Sequence, residues 1–370
     1  MRSMTCVLLA VLGALETKGL CGVEDALIAV QDDKGQWGWI NLEGDVVIKP
    51  QKRFTQTFNS VNGYAKFSEH GRTGIVNTKG DLRISSEQFY DIKHFSEQYA
   101  PALREAHGDV FLIDTTGNVA PILTEHSGYD VIGRFYEGLA AVRNRETQRW
   151  GFIDSNARLV IPAEYVSVSG FSDGLSKVTL QMDRQDISAG IPKLVEPEVL
   201  VASAEYFYID RTGARVSPQT YTYHEGGFFN DRAIFFENDL FGFMDKKFAP
   251  VIPAQFKLRP SNFVGGYASV TVDLADAKKR VGIIDREGNF SFGPLWIKKD
   301  DYLNGISKED RACLCIDGKA GIINQKGDYI VAADYDSCES YGNGVMLGRK
   351  AKEEFLLRAS DGKILWRRKL

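Results

Sequence analysis

The side chains of this 370-residue chain best suited to acid–base or metal chemistry are its histidines and a recurring set of turn carboxylates. The histidines occur singly, and each is expected to be a solvated residue rather than a ligand or base: His70, His94, His107, His126 and His224. The carboxylates stand in Asp-x-x-Gly runs, as in Asp210-Arg-Thr-Gly213. Each run offers one carboxylate, whereas calcium takes several oxygens at alternating positions. Turn formation therefore explains these runs better than calcium binding.

Motifs of the common enzyme classes are missing from the sequence. It has no G-x-S-x-G elbow, no H-E-x-x-H, no P-loop and no dinucleotide-binding glycine pattern. Turns already account for Asp154, Asp210 and Asp285, so a paired-carboxylate glycosidase site has no specific support. The sequence therefore predicts a protein that is not an enzyme, with no catalytic residues, no cofactor and no metal site.

Three of the five cysteines lie in the C-terminal part of the chain, whereas Cys6 lies within the predicted signal peptide and Cys21 at its end. Cys313 and Cys315 lie two apart in a predicted strand, so they share one face at the outer limit of disulfide geometry. Three small buried thiols are the favoured interpretation. A bond from either cysteine to Cys338 is the alternative.

The N-terminus has the pattern of a signal peptide at residues 1–21, in which Arg2 precedes an apolar run from Met4 to Leu15. We therefore expect an exported protein, periplasmic or extracellular. Leu20 stands before Cys21 where a lipoprotein signal takes a small residue, so lipid anchoring is not expected. No other apolar run approaches membrane length, which predicts no transmembrane segment in the mature chain.

The formal charge of -4 gives no electrostatic case for nucleic-acid binding, which requires concentrated Lys and Arg. Arg367, Arg368 and Lys369 form a basic cluster at the extreme end of the chain, and we interpret them as a solvated tail.

One structural unit recurs along the chain, and its clearest copy runs from Gly138 to Pro162. It contains short apolar strands separated by polar turns. A glycine marks the middle strand of each clear copy, and tryptophan precedes it in two: Trp37, Gly38, Gly74, Trp150, Gly151, Gly242, Gly282 and Gly321. Weaker copies bring the total to about nine, and successive anchors lie 34 to 41 residues apart with one interval of 56. Such a period predicts stacked supersecondary units.

Both faces of the middle strand are apolar. In WGFID, Trp150 and Phe152 point to one side while Gly151 and Ile153 point to the other. Each sheet must then be covered on both sides, most simply by the sheets of neighbouring units. Glycine in the centre of a strand costs stability unless something needs the space, and an aromatic side chain is the expected occupant.

The pattern F-x-x-G-L-A-x-V, then W-G-[FYI]-I-[DN]-x-x-G, then [VL]-I-P resembles the WG-repeat family of bacterial proteins, also called KWG repeats. The resemblance covers roughly residue 25 to the C-terminus and is tightest over residues 135–165. It implies a β-rich repeat with variable copy number. It implies no catalytic residues, because structural positions define the family.

We therefore predict an all-β fold of tandem antiparallel hairpin or meander repeats, stacked as an open superhelical or propeller-like array. Residues 25–370 form a single array of about nine repeats, with a long insert at 181–205 and a degenerate capping repeat at 342–370. Closed propellers usually hold about four to eight blades, so this number of units favours the open form. The insert fits a binding loop and an elongated hairpin equally well.

The expected function is recognition of another protein or a cell-envelope polymer through the repeat surface. One alternative is an envelope hydrolase whose cleft includes the 181–205 insert, and another is a purely structural spacer. The sequence specifies neither the partner nor the oligomeric state.

Overall fold

The computed structural model describes residues 26–106, 110–119, 128–156, 158–179, 206–221, 227–275 and 278–370. Within these ranges every regular element is a β strand, and the strands form nine antiparallel sheets of three or four strands. In each sheet, strands that follow one another in the chain are hydrogen-bonded neighbours. The all-β repeat fold expected from the sequence is therefore confirmed.

The sheets are called blades 1 to 9 in chain order. Blade 1 contains β1 (Ile28–Gln31), β2 (Trp37–Ile40) and β3 (Val46–Gln51); blade 2 contains β4 (Gln56–Thr57), β5 (Tyr64–Glu69), β6 (Arg72–Asn77) and β7 (Leu82–Ile84). Blade 3 contains β8 (Asp91–Ile92), β9 (Ala100–Leu103) and β10 (Val110–Ile113); blade 4 contains β11 (Tyr129–Tyr136), β12 (Leu139–Asn144), β13 (Trp150–Asp154) and β14 (Leu159–Tyr165). Blade 5 contains β15 (Ser167–Val168), β16 (Leu175–Thr179) and β17 (Phe207–Asp210).

The remaining blades follow the same scheme. Blade 6 contains β18 (Phe228–Phe229), β19 (Arg232–Glu237), β20 (Leu240–Met244) and β21 (Pro250–Phe256); blade 7 contains β22 (Tyr267–Ala275), β23 (Lys278–Asp285) and β24 (Phe290–Lys298). Blade 8 contains β25 (Tyr302–Leu303), β26 (Arg311–Ile316), β27 (Lys319–Asn324) and β28 (Tyr329–Tyr335); blade 9 contains β29 (Ser337–Gly342), β30 (Val345–Lys350), β31 (Glu353–Arg358) and β32 (Ile364–Lys369).

The turns that follow the middle strands have the chemistry expected from the sequence. In the turn that begins at Asp210, the carboxylate Oδ1 accepts hydrogen bonds from the backbone N–H groups of Thr212 (2.9 Å) and Ala214 (3.1 Å). Gly213 has a φ angle of 86°, which glycine adopts without steric cost. The Thr212 hydroxyl and these backbone donors hold the pKa of Asp210 below its ordinary value. The carboxylate therefore stabilises the turn.

The anchor glycine of each clear repeat, Gly74 excepted, faces an irregularity in the outer strand. In blade 4, Trp150 pairs with Tyr165 and Phe152 pairs with Ile161, so β14 bulges opposite Gly151. A Cβ atom on Gly151 would lie only 2.5 Å from the carbonyl oxygen of Ile161. Backbone of the outer strand approaches four further anchors in the same way: Gly38, Gly242, Gly282 and Gly321.

An aromatic occupant was expected at these glycines, and the structure corrects that expectation at Gly151. There the space is taken by backbone, because the bulged outer strand passes directly over the glycine. At Gly74 the ring of Phe67 fills the space, as expected. Gly242 combines both features, since the ring of Phe235 lies beside the outer-strand backbone.

Buried apolar side chains fill each junction between neighbouring blades. The cluster between blades 6 and 7, for example, consists of Ile234, Phe243, Ile252, Phe256, Phe263, Ala268, Val270 and Ile284. Eight such clusters join consecutive blades along the chain. Each sheet is therefore covered on both faces, which is the arrangement that two-sided apolar strands require.

A ninth cluster joins the last blade to the first. It consists of Ile28, Val30, Ile40 and Leu42 from blade 1 and of Val345, Leu347, Leu356 and Leu365 from blade 9. The side-chain amide of Asn59 also donates a hydrogen bond to the carbonyl of Tyr341 (2.6 Å). The described residues thus form a closed nine-bladed propeller, and the preference for an open array was wrong. The sequence predicted a capping repeat at 342–370, and the last sheet, which spans residues 337–369, packs against a blade on each face.

Tight turns before the second strands link successive blades through a repeated hydrogen bond. The Glu137 carboxylate, for example, accepts the backbone N–H of Gly174 in the next blade (2.8 Å). Three more acceptors make the same contact, which pairs Glu97 with Gly138 (2.6 Å), Asp173 with Asp231 (2.7 Å) and Asn230 with Gly266 (3.0 Å). The four bonds join blades 3 and 4, 4 and 5, 5 and 6, and 6 and 7. Neighbouring blades in this part of the ring are therefore joined by polar contacts as well as by their cores.

A disulfide joins blades 8 and 9. It connects Cys313 in β26 to Cys338 in β29, whose Cα atoms are 5.8 Å apart. Cys315 is a buried free thiol on the same face of β26. The sequence favoured three free thiols, and the structure instead forms the alternative bond, with Cys313 as the partner of Cys338.

Candidate binding cleft at the ring closure

A cleft of about 220 Å³ opens where blade 9 meets blade 1, above the apolar cluster that closes the ring. Val30, Leu347 and Leu356 belong to both the cleft and that cluster. The aromatic and polar side chains that line it are Gln31, Trp37, Tyr341, Arg349, Glu354, Trp366 and Arg368. The cleft therefore combines an apolar base with aromatic and charged walls.

Glu354 lies between two guanidinium groups. Its carboxylate accepts hydrogen bonds from Nε of Arg349 (3.0 Å) and from Nε of Arg368 (2.7 Å). Strand pairing produces this arrangement, because Glu354 is the cross-strand partner of Arg349 on one side and of Arg368 on the other. Arg349 also donates to Glu339 (2.9 Å), and Arg368 donates to the side-chain oxygen of Gln31 in blade 1. The network thus extends across the ring closure.

The carboxylate at the centre of this network is shielded from solvent. Glu354 exposes 14% of its side chain, compared with 23% for Arg368 and 41% for Arg349. Solvent screens partly buried charges less than exposed ones, so these ion pairs hold their side chains in defined positions.

Two of the three aromatic side chains in the cleft are hydrogen-bonded to β1. The indole N–H of Trp366 donates to the carbonyl of Gln31 (3.0 Å), and the Tyr341 hydroxyl donates to the carbonyl of Ala29 (3.1 Å). In the described residues β1 pairs only with β2, so these side chains satisfy carbonyls on its other edge. Burial raises the pKa of Tyr341, which keeps its hydroxyl a neutral donor.

Trp37 is the sequence-predicted anchor that lies in the cleft. Trp150 occupies the equivalent position in blade 4, where the guanidinium of Arg143 lies 5.9 Å from its ring centroid. The glycine anchors lie in the middle strands of six different blades and are not brought together: Gly38, Gly74, Gly151, Gly242, Gly282 and Gly321. Their common role is close packing of the backbone.

Sequence reasoning missed most of the cleft because the last unit supplies it. Arg367, Arg368 and Lys369 were interpreted as a solvated tail; Arg367 and Lys369 are exposed, but all three residues lie in β32 and therefore do not form a tail. Arg367 pairs with Glu353 (2.6 Å), and the backbone N–H of Lys369 donates to a carboxylate of blade 1 (2.8 Å). The available signal was the set of opposite charges on consecutive strands, which strand pairing places side by side.

Two of the five histidines lie in the described residues, and neither is part of the cleft. His70 is an exposed turn residue. His94, which was expected to be solvated, is partly buried with its ring centroid 6.0 Å from that of Phe58. Burial lowers the pKa of His94 to about 4, and the positive charges of Lys66 and Arg134 act in the same direction. No group of three or more metal-ligating side chains occurs in the described ranges.

Several predictions concern residues outside the described ranges and stay predictions. They are the signal peptide at 1–21, the insert at 181–205, and any role of His107, His126 and His224. Where the chain is described, it has no helix with the length and apolar character required to cross a bilayer.

A family model described as WG containing repeat matches four segments of the chain, at residues 37–72, 125–146, 150–180 and 321–347. The resemblance inferred from Trp37, Trp150 and the glycine anchors is confirmed by these matches. No curated protein matched the chain.

One solved structure with low sequence identity supports the fold. The crystal structure of the eukaryotic initiation factor is 12% identical to this chain, with 93% of this chain and 96% of that chain covered and a TM-score of 0.56. Apo AztD from Citrobacter koseri is 14% identical with 93% and 94% coverage and a TM-score of 0.39. BamB from Moraxella catarrhalis is 12% identical with 81% and 88% coverage and a TM-score of 0.37. The first supports the fold, and the other two carry no further conclusion.

Proposed function

We propose that this chain, which carries WG repeats in four segments, is a non-enzymatic exported protein that recognises another protein or a cell-envelope polymer. The observation that supports the proposal is the cleft at the ring closure, where aromatic rings and paired charges line a concave site. Binding sites commonly combine apolar and aromatic walls with a few positioned polar groups. The cleft has that composition.

The surrounding scaffold favours recognition because it fixes the two sides of the cleft relative to each other. Buried clusters hold blade 1 against blade 2 and blade 9 against blade 8, and a third cluster closes the ring beneath the cleft. Sites held on a rigid scaffold lose little entropy when they bind. A ligand that contacts both blades would also stabilise the closed ring by mass action.

The proposal excludes catalysis because the ionisable groups of the cleft are engaged with one another. Both carboxylate oxygens of Glu354 accept arginine N–H groups, and the Tyr341 hydroxyl donates to a backbone carbonyl. The described residues that line the cleft include no serine, threonine, cysteine or histidine and only one carboxylate, so they supply no nucleophile paired with a base. A hydrolase that uses the 181–205 insert stays the alternative from the sequence.

Affinity capture from cell-envelope extracts tests the proposal with a matched pair of variants. Trp37→Ala removes an aromatic wall of the cleft, whereas Trp150→Ala removes the equivalent tryptophan of blade 4 outside it. We expect the wild type and Trp150→Ala to retain a specific component. Trp37→Ala should retain at least about tenfold less, as for an aromatic hot spot.

Two outcomes would contradict the proposal. Turnover of a panel of glycans and esters by the purified protein would show an enzyme. Retention of no specific component by the wild type would favour the structural spacer. Export is tested separately, by the mass of the mature N-terminus and the cell fraction that contains it.

A further inference from the structure

We infer that the cleft at the ring closure binds an uncharged pyranose unit of a polysaccharide. The inference rests on the proposed function, because it assigns the ligand chemistry of the same site and chooses a glycan over a protein. It is carried by three properties of the cleft, namely its charge balance, its remaining hydrogen-bonding capacity and the combination of its aromatic walls with its size.

The charged network carries no net charge. Arg349 and Arg368 supply two positive charges, Glu354 supplies one negative charge inside the cleft, and Glu339, which lies outside the cleft lining and pairs with Arg349, supplies the second. Each guanidinium is already paired with a carboxylate, so an ionic ligand would lose hydration without meeting an uncompensated charge. This balance favours a neutral ligand over a phosphorylated polymer or a charged peptide segment.

The same network keeps donors and acceptors available side by side. A guanidinium carries five N–H donors and a carboxylate about four acceptor sites, and the observed pairs use only part of each set. A sugar hydroxyl both donates and accepts, so neighbouring hydroxyls complement an arginine next to a glutamate. An aliphatic side chain of a protein partner would cover these polar groups without satisfying them, which is unfavourable.

The aromatic lining complements the apolar side of a sugar ring. Trp37, Tyr341 and Trp366 line the cleft, and the negative face of an aromatic ring attracts the C–H groups that a pyranose presents. The volume of about 220 Å³ is below the range of roughly 300–1,000 Å³ typical of drug-sized ligands. One sugar unit therefore fits inside, and the rest of the polymer extends from the open side.

Isothermal titration calorimetry and tryptophan fluorescence on the full mature chain test the inference. The neutral probes are a β-1,4-linked N-acetylglucosamine tetrasaccharide and cellotetraose, and the comparison probes are a heparin-derived tetrasaccharide and an alanine tetrapeptide. We expect a neutral glycan to bind in preference to both comparison probes. Trp37→Ala and Arg349→Gln should each weaken its binding at least tenfold, whereas Trp150→Ala should change it less than twofold.

Thermal melts check that each variant is folded. If Trp37→Ala does not fold, Arg349→Gln replaces it in the test. The Arg349 side chain is 41% exposed, so its replacement is expected to leave the fold intact. Equal glycan affinity in wild type and folded cleft variants would overturn the inference, as would the lack of binding to either neutral glycan. Trp37-dependent capture of a protein, with no glycan binding, would overturn the glycan assignment but leave the proposed function. Envelope capture that does not depend on Trp37 would overturn the assignment of recognition to this cleft, and with it the glycan inference, while recognition itself would still be supported.

Discussion

Replacement of Gly151 by alanine tests whether the outer-strand bulge is the reason for the repeat glycine. The added methyl group would lie 2.5 Å from the carbonyl oxygen of Ile161 and 2.8 Å from the backbone nitrogen of Ala163. Both neighbours are backbone atoms, so no side-chain rotation relieves the contact and β14 must move away from β13. Overpacking costs about 1–3 kcal/mol, and each weakened ladder hydrogen bond adds about 1 kcal/mol. We therefore expect a loss of about 3 kcal/mol in the free energy of unfolding.

Urea denaturation followed by tryptophan fluorescence measures this loss, and hydrogen exchange shows whether it is centred on β14. Gly227→Ala is the matched control, because a Cβ atom there would lie 3.5 Å from the edge of the Phe229 ring, an ordinary contact. That control should be neutral or stabilising by about 0.5 kcal/mol. Equal stability of the two variants, or unchanged exchange in β14, would refute the bulge explanation.

A second glycine separates backbone crowding from side-chain crowding. At Gly74 the neighbour is the ring of Phe67. Gly74→Ala should therefore be rescued in part by Phe67→Leu, which shortens the crowding side chain. At Gly151 no side chain lies among the nearest atoms, so no single side-chain truncation should give a comparable rescue.

Three further predictions concern contacts between blades and pH. Glu137→Ala removes the acceptor of the Gly174 N–H and should cost about 1 kcal/mol in urea denaturation, whereas Glu137→Gln should retain most of the stability. Reduction of the Cys313–Cys338 bond, whose cysteines are 25 residues apart, should cost about 3 kcal/mol and lower the Tm, and Cys315→Ala should leave this redox difference intact. The pKa of His94 is about 4 in the folded state and near 6.5 unfolded, so the unfolded state binds more protons and stability should fall as pH drops from 6.5 to 4. His94→Gln should reduce the change of stability with pH between 6.5 and 4 without altering the pH dependence above 7. An unchanged pH dependence in this variant would contradict its assignment to His94.

The parts of the fold that could be predicted from the sequence are those with local causes. The turn at Asp210 follows from a carboxylate that accepts neighbouring N–H groups and from a glycine with positive φ, all within five residues. The two apolar faces around Gly151 likewise follow from the alternation of side chains along one strand. The need for neighbouring sheets could therefore be inferred before any register was known.

The cleft and the bulge could not be predicted in this way because both depend on register. The pairing of Glu354 with Arg349 and Arg368 appears only when three strands are aligned. In the linear sequence the same residues are charges near a chain end, which is also the composition of a solvated tail. The backbone over Gly151 is equally hidden, because a bulge in β14 changes which atoms face the glycine without changing the residue types.

The sequence contains a signal for ring closure, although the number of units favoured an open array. An open array requires a polar outer face on its terminal units, since no neighbour covers them. The last unit lacks such a face: Phe355 and Leu357 pack toward blade 8, while Leu356 packs toward blade 1. The first unit presents Ile28 and Val30 in the same way, so both ends of the array carry uncovered apolar faces in the linear order. Each end is the cover that the other requires, and the ring closes because leaving both faces in water would cost more than bringing the chain ends together.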